Sequence, residues 1–394
     1  MYPNLYYAFK DLFGISLPPL RFINSFGFFV AIAFLVSAAI LASELKRKSK
    51  LGLLQPTDNE VMVGETATWS EIALNFLLGF ILGYKILALF FLSSEATQDP
   101  QTFIFSTMGS WPAGIGLGLL FAFLKWQEKR KHKLEKPEKR IVRIWPQDRV
   151  GEITILALIF GLLGAKLFDI FENWSDFIKY PSAYIFSGGG LTFYGGLICA
   201  TIAIILYAKK HKIPVRHLAD AIAPPLMIAY AIGRIGCHVS GDGDWGIENL
   251  ATNPFSWMPD WLWSFTYPNN VIEAGVPILG CEGKYCMQLP QPVYPTPFYE
   301  TIACTTLFLI LWAVRKKIRP AGVLFALYLI LNGLERFLVE KVRVNNRLNF
   351  LGLHPTQAEV ISSGLILTGV VIWIILYTKQ RNAGKNLAVF KEER

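Results

Sequence analysis

The sequence predicts an all-α fold, a polytopic membrane helical bundle of about nine transmembrane helices with an arm on the outer side. Three observations predict it. First, 53% of the 394 residues are hydrophobic and 17% charged, with mean hydropathy +0.39. A soluble domain is about a quarter charged. Second, apolar runs of bilayer-spanning length recur along the chain. Nine spans are expected at roughly 24–44, 71–92, 108–126, 152–171, 188–208, 218–236, 298–315, 320–341 and 357–377. Third, every second connection is basic, and Lys/Arg-rich loops stay inside. Lys46, Arg47, Lys48 and Lys50 follow the first span; Lys129–Lys133 with Lys139 and Arg140 follow the third. Lys209, Lys210 and Lys212 follow the fifth, Arg315–Lys317 with Arg319 the seventh, and Lys379, Arg381 and Lys385 the ninth. The N-terminus is therefore expected outside and the C-terminus inside, which requires an odd number of spans. Because the positive charge lies in these clusters, the net charge of +9 is not a nucleic-acid signature.

Residues 1–23 lack the basic leader, apolar run and small-residue cleavage site of a signal peptide. Their aromatics alternate with polar residues, so they read either as an amphipathic interfacial segment or as an ordinary extension. Residues 24–70 hold the first span and its inside loop. Residues 71–133 align without gaps onto 152–214, an offset of 81: Glu71/Glu152, Gly83/Gly164, Lys85/Lys166, Pro100/Pro181, Gly109/Gly190 and Gly114/Gly195 coincide. Two apolar segments resemble each other by chance, but not at shared Lys, Pro, Glu and Gly positions. Residues 71–133 are thus an extra two-span hairpin in the same orientation as its copy, unlike the inverted repeats of many transporters. The remaining spans fall in 150–239 and 294–378, separated by an arm at 240–293 and followed by an inside tail at 379–394. Trp245, Trp257, Trp261 and Trp263 suit an arm resting at the headgroup level. Cys281 and Cys286 in that arm suit a disulfide in an oxidising compartment. Cys199 and Cys304, within spans, read as packing residues.

Ionisable groups inside a membrane are costly and mark function. Here they gather at the outer ends of spans. Arg234 ends the sixth span, and Arg336, Glu340 and Arg343 end the eighth at i, i+4 and i+7, one face of a helix. Glu300 opens the seventh span, and Tyr194, amid glycines, opens the fifth. Outer-end arginines run against the orientation rule, which favours an anion-binding role, because guanidinium forks suit phosphate. The bland alternative is that Arg336 and Glu340 neutralise each other. Glycines around Tyr194 allow either ligand approach or helix packing.

Four blocks carry a resemblance. Gly233-Arg234-Ile235-Gly236-Cys237-His238-Val239-Ser240-Gly241-Asp242 resembles the signature of prolipoprotein diacylglyceryl transferases. Gly189 to Ile198, Tyr294 to Glu300 and Glu335 to Arg343 resemble three further family blocks in the same order. The resemblance covers about 150–377 plus the first span. It implies transfer of a diacylglyceryl group from phosphatidylglycerol to the lipobox cysteine thiol of a prelipoprotein. It implies no metal or organic cofactor, and no nucleic-acid partner. It places a multi-pass protein in a bacterial inner membrane, with 1–23 and the arm periplasmic and the tail cytoplasmic. The catalytic candidates are Arg234, Arg336, Glu340, Asp242 and Tyr194. The substrate-binding candidates are Arg343, Gly190, Gly195, Gly196, Glu300, Lys166, Phe26, Cys237 and Gly246.

The chain also departs from the family pattern. Tyr194 stands where the family commonly has a histidine, Cys237 at an asparagine position, and Phe26 where a tyrosine precedes the glycine of the first span. The segment Asp242-Gly243-Asp244-Trp245-Gly246 is one residue longer than the usual form, so Asp242 or Asp244 is a candidate for proton handling. A catalytically weak relative that binds lipid or prelipoprotein is the first alternative, and an anionic-lipid transporter with Lys85 and Lys166 along its path is the second.

Overall fold

The computed structural model describes residues 1–87, 103, 108–186, 192–343 and 354–392. Each of the nine expected spans corresponds to a helix, named here in chain order. After the short α1 (Leu5–Phe13) come α2 (Ser25–Lys50), α3 (Trp69–Lys85), α4 (Trp111–Lys131) and α5 (Val150–Glu172). The short α6 (Trp174–Lys179) and α7 (Pro181–Phe186) lead to α8 (Phe193–Lys210) and α9 (Val215–Ser240). In the arm lies α10 (Asp260–Trp263), and then α11 (Thr296–Val314), α12 (Val323–Glu340) and α13 (Gln357–Glu392) complete the chain.

Among the described residues, six stretches are long and apolar enough to cross a membrane: Ser25–Lys50, Pro146–Glu172, Phe193–Lys210, Val215–Ser240, Thr296–Val314 and Gln357–Arg381. The other three expected spans have particular reasons for falling short. Helix α3 has 17 residues. Helix α4 already carries Lys125 and Glu128 before its basic end, and α12 holds Glu335, Arg336 and Glu340.

The repeat reappears as two hairpins closed by equivalent glycines. In the first, Gly83 of α3 lies against the backbone at Ala113 and Gly114 of α4. In the second, a Cβ on Gly164 would stand 2.5 Å from the carbonyl oxygen of Gly195. Residues 83 and 164, and 114 and 195, are the pairs that the 81-residue offset superposes. Small residues at these crossings let the backbones touch, the usual packing device where lipid supplies no hydrophobic drive. Lys85 donates to the carbonyls of Phe103 and Met108, both at 2.8 Å, whereas Lys166 pairs with Asp169 at 3.6 Å on its own helix.

A two-stranded ribbon was not expected from the sequence. Strand β1 (Thr57–Val63) runs antiparallel to β2 (Glu138–Ile144), with Thr57 opposite Ile144 and Val63 opposite Glu138. It joins the loops on either side of the α3–α4 hairpin. Asp58 pairs with Arg143 at 3.0 Å, and buried Arg149 ties the ribbon to the bundle by donating to Thr57 (3.0 Å) and Tyr207 (3.3 Å).

Two apolar cores hold the bundle. Leu41, Leu45, Val150, Ile153, Ala208, Leu218 and Ala221 join α2, α5, α8 and α9 at the ribbon end. Ala223, Met227, Ala231, Cys304, Leu311 and Leu324 join α9, α11 and α12 further along. Asp220 of α9 fixes the start of α12. Its carboxylate accepts the N–H groups of Gly322 (2.8 Å) and Phe325 (3.0 Å), where Gly322 adopts φ +98°. A carboxylate there satisfies orphan donors and suits the positive end of the helix dipole.

At the opposite end the arm is folded. The side chain of Asn270, fully buried, donates to the carbonyls of Tyr267, Ala274 and Met287 and accepts from Ala274 N–H. Cys281 and Cys286 are joined as a disulfide, with Cα atoms 5.6 Å apart. The N-terminal segment docks on this arm. The Met1 amine donates to Pro268 O (2.8 Å), Tyr2 N–H to Val239 O (2.8 Å), and Tyr7 meets Tyr285 edge to face.

Candidate active site

Three chain segments deliver charge to one place at the arm end. Helix α9 ends with Tyr230 and Arg234 on one face, four residues apart. Beyond its last residue, Gly241 and Gly243 take φ +63° and +99°, values open to glycine, and the chain doubles back to present Asp244. Helix α11 opens with Thr296-Pro297, proline sitting where a helical first turn needs no N–H donor, and carries Glu300 one turn later. Helix α12 ends at Glu340, so Arg343 sits in the following turn, its N–H donating to Glu340 O.

Glu300, fully buried, is the centre. One carboxylate oxygen takes Arg336 at 3.3 Å and Arg343 at 3.2 Å; the other takes the Nε of Arg234 and the Tyr230 hydroxyl at 3.3 Å. Arg234 donates in turn to Tyr230 Oη at 3.1 Å. Arg336 also pairs with Glu340 at 3.3 Å. Asp244 bridges the two remaining arginines, one oxygen on Arg234 and the other on Arg343. Thr296 holds the Asp244 backbone by donating to its carbonyl at 2.8 Å. Arg234, Arg336 and Arg343 are thus matched by Asp244, Glu300 and Glu340. Charges removed from water persist only when paired in this way.

The cluster gathers Arg234, Arg336, Glu340, Arg343 and Glu300 from the sequence candidates. The i+7 spacing puts Arg343 on the helix face of Arg336, yet it lies deeper, its side chain 8% exposed against 20% for Arg336. The helix stops before it, and the turn carries it inward between two carboxylates. Tyr194, in the first turn of α8, lies within electrostatic reach of Arg336, Glu340, Arg234 and Arg343. Cys237 is buried with its sulfur 3.8 Å from Arg234. Phe26 packs against Gly236, where α2 meets α9.

Other candidates sit in packing rather than in the charge cluster. Gly195 lies against Phe168 and Gly164, and Gly196 against Gly161. A Cβ on Gly246 would stand 2.5 Å from Val342 O, so that glycine seats the arm on the end of α12. Lys166 faces Asp169. Gly190 falls outside the described residues.

Comparison with known proteins bears on this arrangement. Residues 113–375 match the model of the prolipoprotein diacylglyceryl transferase family. The chain belongs to the prolipoprotein diacylglyceryl transferase family. A relative from Dehalococcoides mccartyi, named phosphatidylglycerol–prolipoprotein diacylglyceryl transferase, is 30% identical over 301 residues, 74% of this chain and 99% of the relative. Relatives of the same name from Leptospira interrogans and Clostridium novyi are 29% and 30% identical, over 65% and 62% of this chain and 75% and 84% of theirs. About a quarter of the present chain therefore lies outside the match to the Dehalococcoides relative.

Against that prolipoprotein diacylglyceryl transferase background, two aspartates beside the cluster differ in character. Burial pushes the Asp242 carboxyl above its ordinary range, and the charge of Asp244 adds to this. Burial acts the same way on Asp244, but Arg234 and Arg343 outweigh it and hold that carboxyl below the ordinary range. Neighbouring carboxyls driven apart in this way take different roles in a site. Cys237, Asp242 and Asp244 also come within 4.8 Å of one another, the spacing of a metal site. A cation there would meet the two arginines that already hold Asp244, so these residues do not suit one.

The sequence did not single out Tyr230, Thr296 or Glu335. Tyr230 stands four residues before Arg234, the one available signal. Glu335 is buried one residue before Arg336, and neither of its oxygens has a hydrogen-bond partner among the described residues.

Proposed function

We propose that this chain transfers a diacylglyceryl group from phosphatidylglycerol to the lipobox cysteine thiol of prelipoproteins. It would do so as a multi-pass protein of the bacterial inner membrane, with N-terminus and arm periplasmic and C-terminus cytoplasmic. The observation that carries this reading is the convergence of Arg234, Arg336 and Arg343 on one buried place at the arm end. In the reaction a sulfur–carbon bond forms at the glyceryl carbon and the carbon–oxygen bond to phosphate breaks. The electron pair goes to the phosphate oxygen, and glycerol phosphate leaves. Charge grows on the departing phosphate, and fixed guanidinium donors stabilise it more in the transition state than in the bound lipid. Lipid enters sideways from the leaflet and the peptide beneath the arm, so both reactants are held together, which lowers the entropic part of the barrier.

The thiol must lose its proton, because the thiolate is the nucleophile. Tyrosine ionises near pH 10 and is a weak base at neutral pH, which leaves Asp242 as acceptor in place of Tyr194. A carboxylate raised toward the working pH is the better base. Asp242 accepts only when ionised, so transfer should rise as pH climbs through its raised pKa. The acid limb of kcat/KM is therefore expected above the range of an ordinary aspartate, retained in Asp242→Glu and lost, with most of the activity, in Asp242→Asn. A limb at the ordinary position that survives Asp242→Asn would remove Asp242 from this role.

The extra hairpin, 71–133, is assigned a structural role. Trp111-Pro112-Ala113 stands where the second copy has Thr192-Phe193-Tyr194, and its lysine is tied to local carbonyls. Donor selectivity tests the overall reading. With a lipobox peptide present, vesicles containing phosphatidylglycerol should release glycerol phosphate, and vesicles of phosphatidylcholine alone should release no headgroup phosphate. Equal release from both lipids would count against a site built for this donor.

A further inference from the structure

Asp244 holds a position that a phosphodiester would fill. Its two oxygens reach two different guanidiniums, Arg234 from α9 and Arg343 from the turn after α12. The two anionic oxygens of a phosphodiester present the same bridging pattern, and guanidinium forks bind carboxylate and phosphate alike. The other carboxylate shared by these arginines, Glu300, is fully enclosed within the helices. Asp244 lies on the accessible side, with 35% of its side chain exposed. Of the three carboxylates that face the arginines, Asp244 is the exposed one.

We infer that Asp244 is a built-in surrogate for the lipid phosphate, closing the arginine pair in the resting protein and yielding it to the phosphodiester of the donor lipid. The inference rests on the transferase reading and adds to it how the site is kept closed without substrate. Two further observations support it. Arg343 is buried and its Nε has no hydrogen-bond partner among the described residues, so the pair retains a donor that Asp244 does not use. The exchange also requires little movement. Thr296 pins the Asp244 carbonyl and Gly246 is clamped against Val342, while Gly241 and Gly243 supply the left-handed turn before it. Rotation of one short side chain frees both guanidiniums. Three arginines matched by three carboxylates leave no excess positive charge for an incoming anion, so one carboxylate must withdraw, and Asp244 is the exposed one. Its return after the reaction would help expel glycerol phosphate.

An internal competitor lowers apparent affinity by the fraction of molecules in which the site is open. Removing its charge should therefore tighten lipid binding while loosening the protein. The test compares wild-type protein with Asp244→Asn and Asp244→Ser in detergent, by titration with soluble dihexanoyl phosphatidylglycerol and, separately, glycerol phosphate, alongside thermal unfolding. Both variants should unfold at a lower temperature and bind the short-chain lipid at least about fivefold more tightly. Glycerol phosphate should tighten in the same direction but remain the weaker ligand, because it lacks the chains. Opposite movement of stability and affinity is the signature. If Asp244 merely positioned the arginines, both would fall together, and that result overturns the inference. Equal affinity in wild type and variants also overturns it while leaving the transferase reading intact. No binding of the short-chain lipid by any of the proteins overturns both.

Discussion

Glu300→Ala should be the most damaging single substitution in the molecule. Glu300 is fully buried and touches Arg234, Arg336, Arg343 and Tyr230. Removing it leaves three guanidiniums without the buried carboxylate that they share. Breaking a buried ion pair from one side costs about 3–5 kcal/mol, and here three charges share the loss. The expected outcome is a sharp fall in thermal stability in detergent and transfer reduced at least about a hundredfold, roughly 2.7 kcal/mol of transition-state stabilisation. Glu300→Gln keeps shape and volume and should fold better, yet still lose transfer, since a neutral amide cannot anchor three cations. Stability and near-normal transfer in the glutamine variant would show that the carboxylate charge is not what organises the arginines.

The second large effect concerns the guanidinium forks. Arg234→Lys, Arg336→Lys and Arg343→Lys each keep the charge and lose the planar donor array. Each arginine uses separate nitrogens for separate partners: Arg336 spans Glu300 and Glu340, and Arg343 spans Glu300 and Asp244. A single ammonium cannot reproduce that span. Each variant should lower diacylglyceryl transfer by at least about tenfold, roughly 1.4 kcal/mol. A cation present only to set topology would tolerate lysine. Near-normal transfer by Arg234→Lys and Arg336→Lys, at normal expression, would remove the shared-phosphate account and favour a weak relative or a transporter.

The helical framework was legible because lipid imposes strict rules on sequence. A helix lies at each of the nine expected apolar runs, six of them long and apolar enough to span among the described residues, and the 81-residue repeat pointed to the glycines that close both hairpins. The Arg336–Glu340 pair was legible because i, i+4 spacing is local. The rest of the cluster was not, since Arg234 meets Glu300 and Arg343 meets Asp244 across large sequence separations, and charge alone names no partner. Arg343 was assigned to a helix face by its i+7 spacing, but the helix ends at Glu340 and the turn buries it. The β1–β2 ribbon was missed for a related reason. Its strands flank the α3–α4 hairpin and are largely exposed, so they lack the half-buried alternation that marks a strand. Gly195 and Gly196 carried two readings, packing or ligand approach, and Gly246 was a substrate-binding candidate; the neighbours of all three show close packing.

The most direct measurement is the mass of a lipobox peptide after incubation with the purified full-length protein and phosphatidylglycerol vesicles. The account predicts a gain of one diacylglyceryl group on the cysteine through a thioether, with one glycerol phosphate released per peptide modified. The modification should be absent when the cysteine is replaced by serine, and strongly reduced for Arg234→Lys. An unmodified peptide in the presence of folded protein that binds phosphatidylglycerol would contradict it.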